Sequence, residues 1–154
     1  AVLLMVGSSS INAQVWSEWE TKNSVAKFGS FMVIKQPGSN PSFCYIKQSY
    51  EDVPGKMELT VKVDEIPYLT HPFYRGMNSD LIYQVDDGPV RFIKASVLNS
   101  RRAISLDKSV TKELVSGRRL KLRHTPEGYR NMEQVLPLNG FKAALRNLGS
   151  NTCK

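Results

Sequence analysis

The segment Arg118-Arg119-Leu120-Lys121-Leu122-Arg123-His124 places three cationic side chains, Arg119, Lys121 and Arg123, at every second position. In an extended strand alternate side chains share one face and repeat roughly every 6–7 Å. A row of guanidinium and ammonium groups at that spacing suits phosphates, sulfates or carboxylates on a polymer or a lipid head group. Arg118 adjoins the row, and Arg101, Arg102 and Arg130 come from flanking segments that would widen it. The same alternation has a second reading, an edge strand kept from aggregating by its charge.

The distribution of charge along the chain points toward an anionic partner. Residues 1–90 carry 7 Lys and Arg against 10 Asp and Glu, a net of −3. Residues 91–154 carry 14 against 4, a net of +10, which makes the whole chain +7. Such asymmetry marks contact with something negative, or else a surface rich in Lys and Arg for solubility. Nucleic acid is not the expected partner, because no stacking aromatics interleave the arginines.

Other chemistry is sparse. The sequence has no GxSxG, no phosphate-binding or dinucleotide glycine pattern, no HExxH and no CxxC. The carboxylate pairs Glu51-Asp52 and Asp86-Asp87 are adjacent residues at turns, which point in different directions. His71 sits in a proline-flanked loop, and His124 is expected at an exposed strand end. No nucleophile, base and orienting group come together, so the chain reads as a non-enzyme without metal or cofactor.

Two cysteines remain, Cys44 and Cys153. A metal would need further soft ligands, and neither histidine is close to a cysteine in sequence. A catalytic thiol has no signature here. An even count in an oxidising compartment favours a disulfide.

The compartment is read from the first residues. Ala1 to Gly7 are apolar or small, a Ser-rich stretch follows, and Ala13-Gln14 resembles a signal-peptidase junction. The apolar run is shorter than the roughly 20 residues that span a bilayer. Residues 1–13 are therefore expected to be the remnant of a cleaved signal peptide, and 14–154 one β-rich domain that is exported to a periplasm or beyond.

The elements that must position these groups are mostly strands. MELTVKV (57–63) alternates apolar Met57, Leu59, Val61 and Val63 with polar Glu58, Thr60 and Lys62. The segments at 31–36, 42–48, 79–85, 90–96, 118–125 and 132–138 are further strands. Turn chemistry at Gln36–Pro41, Pro54-Gly55 and Val85–Pro89 joins them as hairpins. One internal helix is expected at 107–117, capped by Asp107 and stopped by Gly117. A second, at 139–149, is capped by Asn139 and carries Phe141, Ala144, Leu145 and Leu148 on one face. Fold class follows: mainly β, a β-sandwich or distorted barrel with one short internal helix and a C-terminal amphipathic helix.

That closing segment, LPLNGFKAALRNLGSNTCK, resembles the end of the invasion-associated locus B family of exported bacterial proteins. The matching positions are Leu138, Gly140, Phe141, Ala144 and Leu145, followed by Cys153. A Trp-containing first strand, which the resemblance places at WSEWET with Trp16 and Trp19, and the cysteine strand FCYIKQ are similar too. The chain lacks the second cysteine pair of some members, and the cysteine that often follows the first tryptophan. The resemblance implies a β-rich periplasmic or outer-surface protein, linked in some pathogens to host-cell entry, with no catalytic residues to carry over. The expected function is binding of an anionic lipid, polysaccharide or host-surface component through Arg118, Arg119, Lys121 and Arg123. The alternative is an envelope assembly factor that docks a protein partner through a sheet edge.

Overall fold

The period-two segments gather into two antiparallel sheets. The computed structural model describes residues 17–36, 38, 43–48, 57–63, 65–71, 76–128, 130–150 and 153. The signal-peptide segment 1–13 and the Pro54-Gly55 turn lie outside the described residues. One sheet has the order β1 (Ser24–Phe28), β2 (Phe31–Gln36), β3 (Phe43–Gln48), β4 (Glu58–Lys62), β5 (Tyr68–Thr70) and β8 (Ala103–Ser105). The other has the order β10 (Met132–Pro137), β9 (Arg119–His124), β6 (Leu81–Val85) and β7 (Arg91–Ile93). Neither closes into a barrel, so of the two expected architectures the sandwich is the one that forms.

Inward residues of both sheets share one apolar cluster, with Val33, Ile46 and Leu59 from one and Tyr83, Leu122 and Leu136 from the other. The sheets are also joined by polar links. The side-chain amide of Gln134 accepts the Met57 N–H at 2.9 Å and donates to the Met57 carbonyl at 2.9 Å. Gln48 Nε2 donates to the Pro137 carbonyl. A buried amide that satisfies both backbone groups of one residue fixes how the sheets sit against each other. Gln134→Leu leaves the Met57 N–H and C=O without these partners and is expected to lower stability by about 1–3 kcal/mol. Urea denaturation measures it, and an unchanged midpoint would show that the link is dispensable.

Helices are more numerous than expected, with four among the described residues: α1 (Glu18–Lys22), α2 (Ala95–Ser100), α3 (Val110–Ser116) and α4 (Phe141–Leu148). Within WSEWET, the described residues from Glu18 onward form α1 and not a strand. Ser17 Oγ accepts the Glu20 N–H and Glu20 returns a carboxylate to the Ser17 N–H, a capping box that starts α1. The strand expected over 90–96 stops at Ile93, because Asp80 Oδ1 accepts the Ala95 N–H at 2.8 Å and the chain turns into α2. In MELTVKV the alternation fails at two positions: Thr60 is buried, and Val63 lies exposed beyond the end of β4.

Both expected helix caps shift. Asp107 accepts the N–H and the hydroxyl of Ser109, forming the turn that precedes α3 rather than capping its first residue. These two hydrogen bonds hold the Asp107 carboxyl below its usual value. For α4 the cap is Gly140, at φ +89°, and not Asn139. A Cβ on Gly140 would collide with the Phe28 carbonyl, and one on Gly29 (φ +54°) would lie 2.5 Å from the Asn139 carbonyl. The two glycines let backbone meet backbone. Asn139 instead accepts from Ser30, through its carbonyl at 3.0 Å and its Oδ1 at 2.6 Å. The helix start is thereby docked on the β1–β2 turn.

From there the stripe of α4 enters the core as its spacing predicts, with Phe141, Ala144 and Leu148 buried, Leu145 packed against the core and Lys142 and Arg146 exposed. Cys153 reaches Cys44 on β3 and forms a disulfide, with Cα atoms 5.3 Å apart.

Candidate functional site

The cationic row lies in the interior of its sheet. β9 pairs with β10 on one side and β6 on the other, so the edge-strand reading of its charge is overturned. Leu120, Leu122 and His124 point into the core, while Arg119 and Arg123 are exposed and Lys121 half-buried on the outer face. His124 is therefore a core residue and not an exposed strand end. His71 is also buried, its Nε2 2.9 Å from the Leu98 carbonyl and 3.0 Å from that of Arg101.

Strand register maps the outer face. One transverse row runs Glu133, Arg123, Ile82, Phe92, and the next begins Val135, Lys121, Gln84. A groove of about 450 Å³ crosses this face, lined among others by Ile82, Gln84, Val90, Phe92, Lys121, Arg123, Glu133 and Val135. Its apolar members are unusually open for a sheet face: Phe92 is 63% exposed, and Val90 and Val135 are each 50% exposed. The face is thus amphipathic, with cations along β9, apolar Ile82, Val90 and Phe92 toward the β7 edge, and Val135 on β10 beyond the cations.

The cations are not equivalent. Arg123 donates through Nε and NH2 to Glu133 Oε1 at 3.1 and 3.0 Å, which neutralises part of its charge. Lys121 lies 3.8 Å from Asp87, a fully exposed carboxylate and so a weak competitor for an incoming anion. Among the described residues no carboxylate pairs with the Arg118 or Arg119 side chain. These two are held by their backbones instead. The carboxylate of Asp86, a residue at φ +50°, accepts the N–H of Arg118 at 3.0 Å and of Arg119 at 3.0 Å. The β6–β7 hairpin, foreseen from Asp86-Asp87-Gly88, therefore anchors the start of the cationic row. Arg101 and Arg102 belong to the connection into β8 of the other sheet and do not extend the row, while Arg130 is exposed in the β9–β10 connection.

The opposite sheet carries a shallower groove of about 320 Å³ lined by Phe43, Tyr45, Lys47, Lys62 and Tyr68 among others. Its lysines are engaged. Lys47 pairs with Glu20 of α1 and, at 3.1 Å, with Glu58, and Lys62 lies over the Phe43 ring at 5.8 Å. Burial alone would lower the Lys47 pKa, but its two carboxylate partners outweigh burial and raise it. That groove is a tied-down structural face. Among the described residues no three His, Cys, Asp or Glu side chains gather to hold a metal ion, and no helix is long and apolar enough to cross a membrane.

The apolar half of the candidate site was missed in the sequence. Ile82 and Val135 fall on the polar phase of their strands, opposite Tyr83 and Gln134, and that mismatch was the available signal.

No family model matches the sequence, and no curated protein matches it. Among solved structures the chain is similar to the crystal structure of invasion associated protein B from Bartonella henselae, with 21% sequence identity and a TM-score of 0.58. The match covers 80% of this chain and 94% of that one. At this identity the likeness is one of fold.

Proposed function

We propose, from a fold shared with invasion associated protein B, that this is an exported envelope protein that binds an anionic partner on the outer face of β9 and contributes to host-cell invasion. Binding, not catalysis, is its work. A disulfide between Cys44 and Cys153 and the likeness in fold both fit a protein that acts outside the cytoplasm, in the periplasm or at the outer surface.

One observation carries the reading. Arg119, Lys121 and Arg123 project from a strand that is hydrogen-bonded on both sides, so their charge cannot serve to protect a sheet edge. Paired strands leave only the outer face for these groups, and the two with weak or no ion pairing, Lys121 and Arg119, stand side by side on it.

The test is retention on a sulfated polysaccharide matrix and its dependence on salt. Each cation near a highly charged surface contributes about 1 kcal/mol. Arg119→Ala, Lys121→Ala and Arg123→Ala together are therefore expected to weaken binding about 100-fold. The same variant should keep its thermal midpoint, since all three side chains lie on the solvent side. Retention equal to that of the unaltered protein would refute the proposal.

A further inference from the structure

The groove on this face combines features that a soluble polyanion does not need. Phe92 stands on β7, the edge strand of its sheet, with Ile82 beside it on β6 and Val90 at the start of the same edge. Two strand spacings, or roughly 10 Å, separate β7 from the cations of β9. A polysaccharide would leave the aliphatic groups in contact with water. An extended acidic peptide would be expected to pair along the β7 backbone, but β7 offers only three residues before the chain turns into α2.

A lipid surface fits both halves of the groove. Interfacial proteins bury apolar side chains roughly 5–10 Å below the level of the head groups while Lys and Arg stay among the phosphates. With the β7 edge directed downward, Phe92 and Val90 would enter the acyl boundary and Arg119 and Lys121 would lie near the phosphate plane. The pair of half-buried Lys121 with fully exposed Asp87 at 3.8 Å is weak enough to exchange for a phosphodiester. Phe92 and Val90 thus stand from the β9 cations at the separation that a bilayer surface presents, while Val135 on β10 stays on the water side of them.

We infer that the outer face of the four-stranded sheet docks on a membrane surface bearing phosphodiester anions, with the β7 edge inserted through Phe92 and Val90. This rests on the anion-binding reading of β9 and goes beyond it by naming the partner as a bilayer.

Flotation of the full chain with vesicles of phosphatidylcholine, with and without phosphatidylglycerol, tests it. Heparin binding is measured alongside. The unaltered protein is expected to float with phosphatidylglycerol vesicles and to remain unbound with phosphatidylcholine alone. Phe92→Ser with Val90→Ser is expected to weaken vesicle binding at least about tenfold and to leave heparin binding unchanged, because no cation is touched. The variant lacking Arg119, Lys121 and Arg123 should lose both. If the Phe92/Val90 variant floats like the unaltered protein, the membrane inference is wrong while the anion reading stands. Protein that binds heparin but ignores every vesicle also overturns the inference, and points to a soluble acidic partner. Should the triple cation variant bind heparin normally, the underlying reading falls as well.

Discussion

Replacing Cys44 and Cys153 by alanine together is expected to lower stability by up to about 4.7 kcal/mol. The disulfide closes a separation of 109 residues, which spans nearly all of the described fold from β3 onward. A loop of that length has a large closure entropy in the unfolded chain, and removing the link returns that freedom to the denatured state. On the native side both positions are buried, so removal of the two sulfurs adds a smaller packing loss to the entropic one. Chemical denaturation of the unaltered protein with and without reductant measures the effect directly. The reduced protein and the double variant should both unfold at a clearly lower denaturant concentration than the oxidised protein. Coincident curves for oxidised and reduced protein would show that the tail is held by packing alone.

Phe141→Ala is expected to cost about 3–5 kcal/mol. Phe141 is fully buried and meets Phe31 edge to face, with ring centroids 5.3 Å apart and planes at 66°. The pair joins the first residue of α4 to the first residue of β2, where Gly29 and Gly140 have already brought the two backbones together. Truncation leaves a cavity at the place where that approach cannot relax, because the Gly140 Cα lies against the Phe28 carbonyl. Arg146→Ala, on the exposed side of the same helix, should change stability by no more than about 0.5 kcal/mol. Thermal unfolding of the two variants separates burial from helix propensity. Equal effects would contradict the account of α4 as a helix docked by one buried stripe.

These two predictions concern the part of the chain that was most legible in sequence. The stripe at 141, 144, 145 and 148 and the pairing of the two cysteines both follow from local rules: helical period in one case, an even cysteine count in the other. Strand phases were legible for the same reason: Leu120 and Leu122 of β9 face the core and Arg119 and Arg123 the solvent, while His124, expected at an exposed end, is buried by the same alternation. What could not be read locally was which strands are neighbours. The sequence of β9 is the same whether it lies at an edge or between β10 and β6, and only the pairing removes the aggregation-guard explanation of its charge. Helices shorter than two turns were missed where apolar runs resembled strands, as at 90–96. The capping box of Ser17 and Glu20 was a usable signal that the neighbouring tryptophans obscured.

The candidate site was half legible. Its cations alternate within one short segment, so they announce themselves. Its apolar part comes from Ile82, Phe92 and Val135 on three different strands, each an ordinary residue in its own segment. Only the register, which sets Ile82 between Arg123 and Phe92, turns them into a surface. A groove assembled across four strands has no linear motif.

The central claim is that the outer face of β9 is where this protein meets an anion. Amide chemical shifts recorded while heparin fragments are titrated into isotope-labelled protein test it most directly. The account predicts that perturbations concentrate on Arg118 to Arg123, with smaller changes at Gln84 and Val135 alongside. Perturbations concentrated instead around Tyr45, Lys62 and Tyr68, in the groove of the opposite sheet, would contradict it.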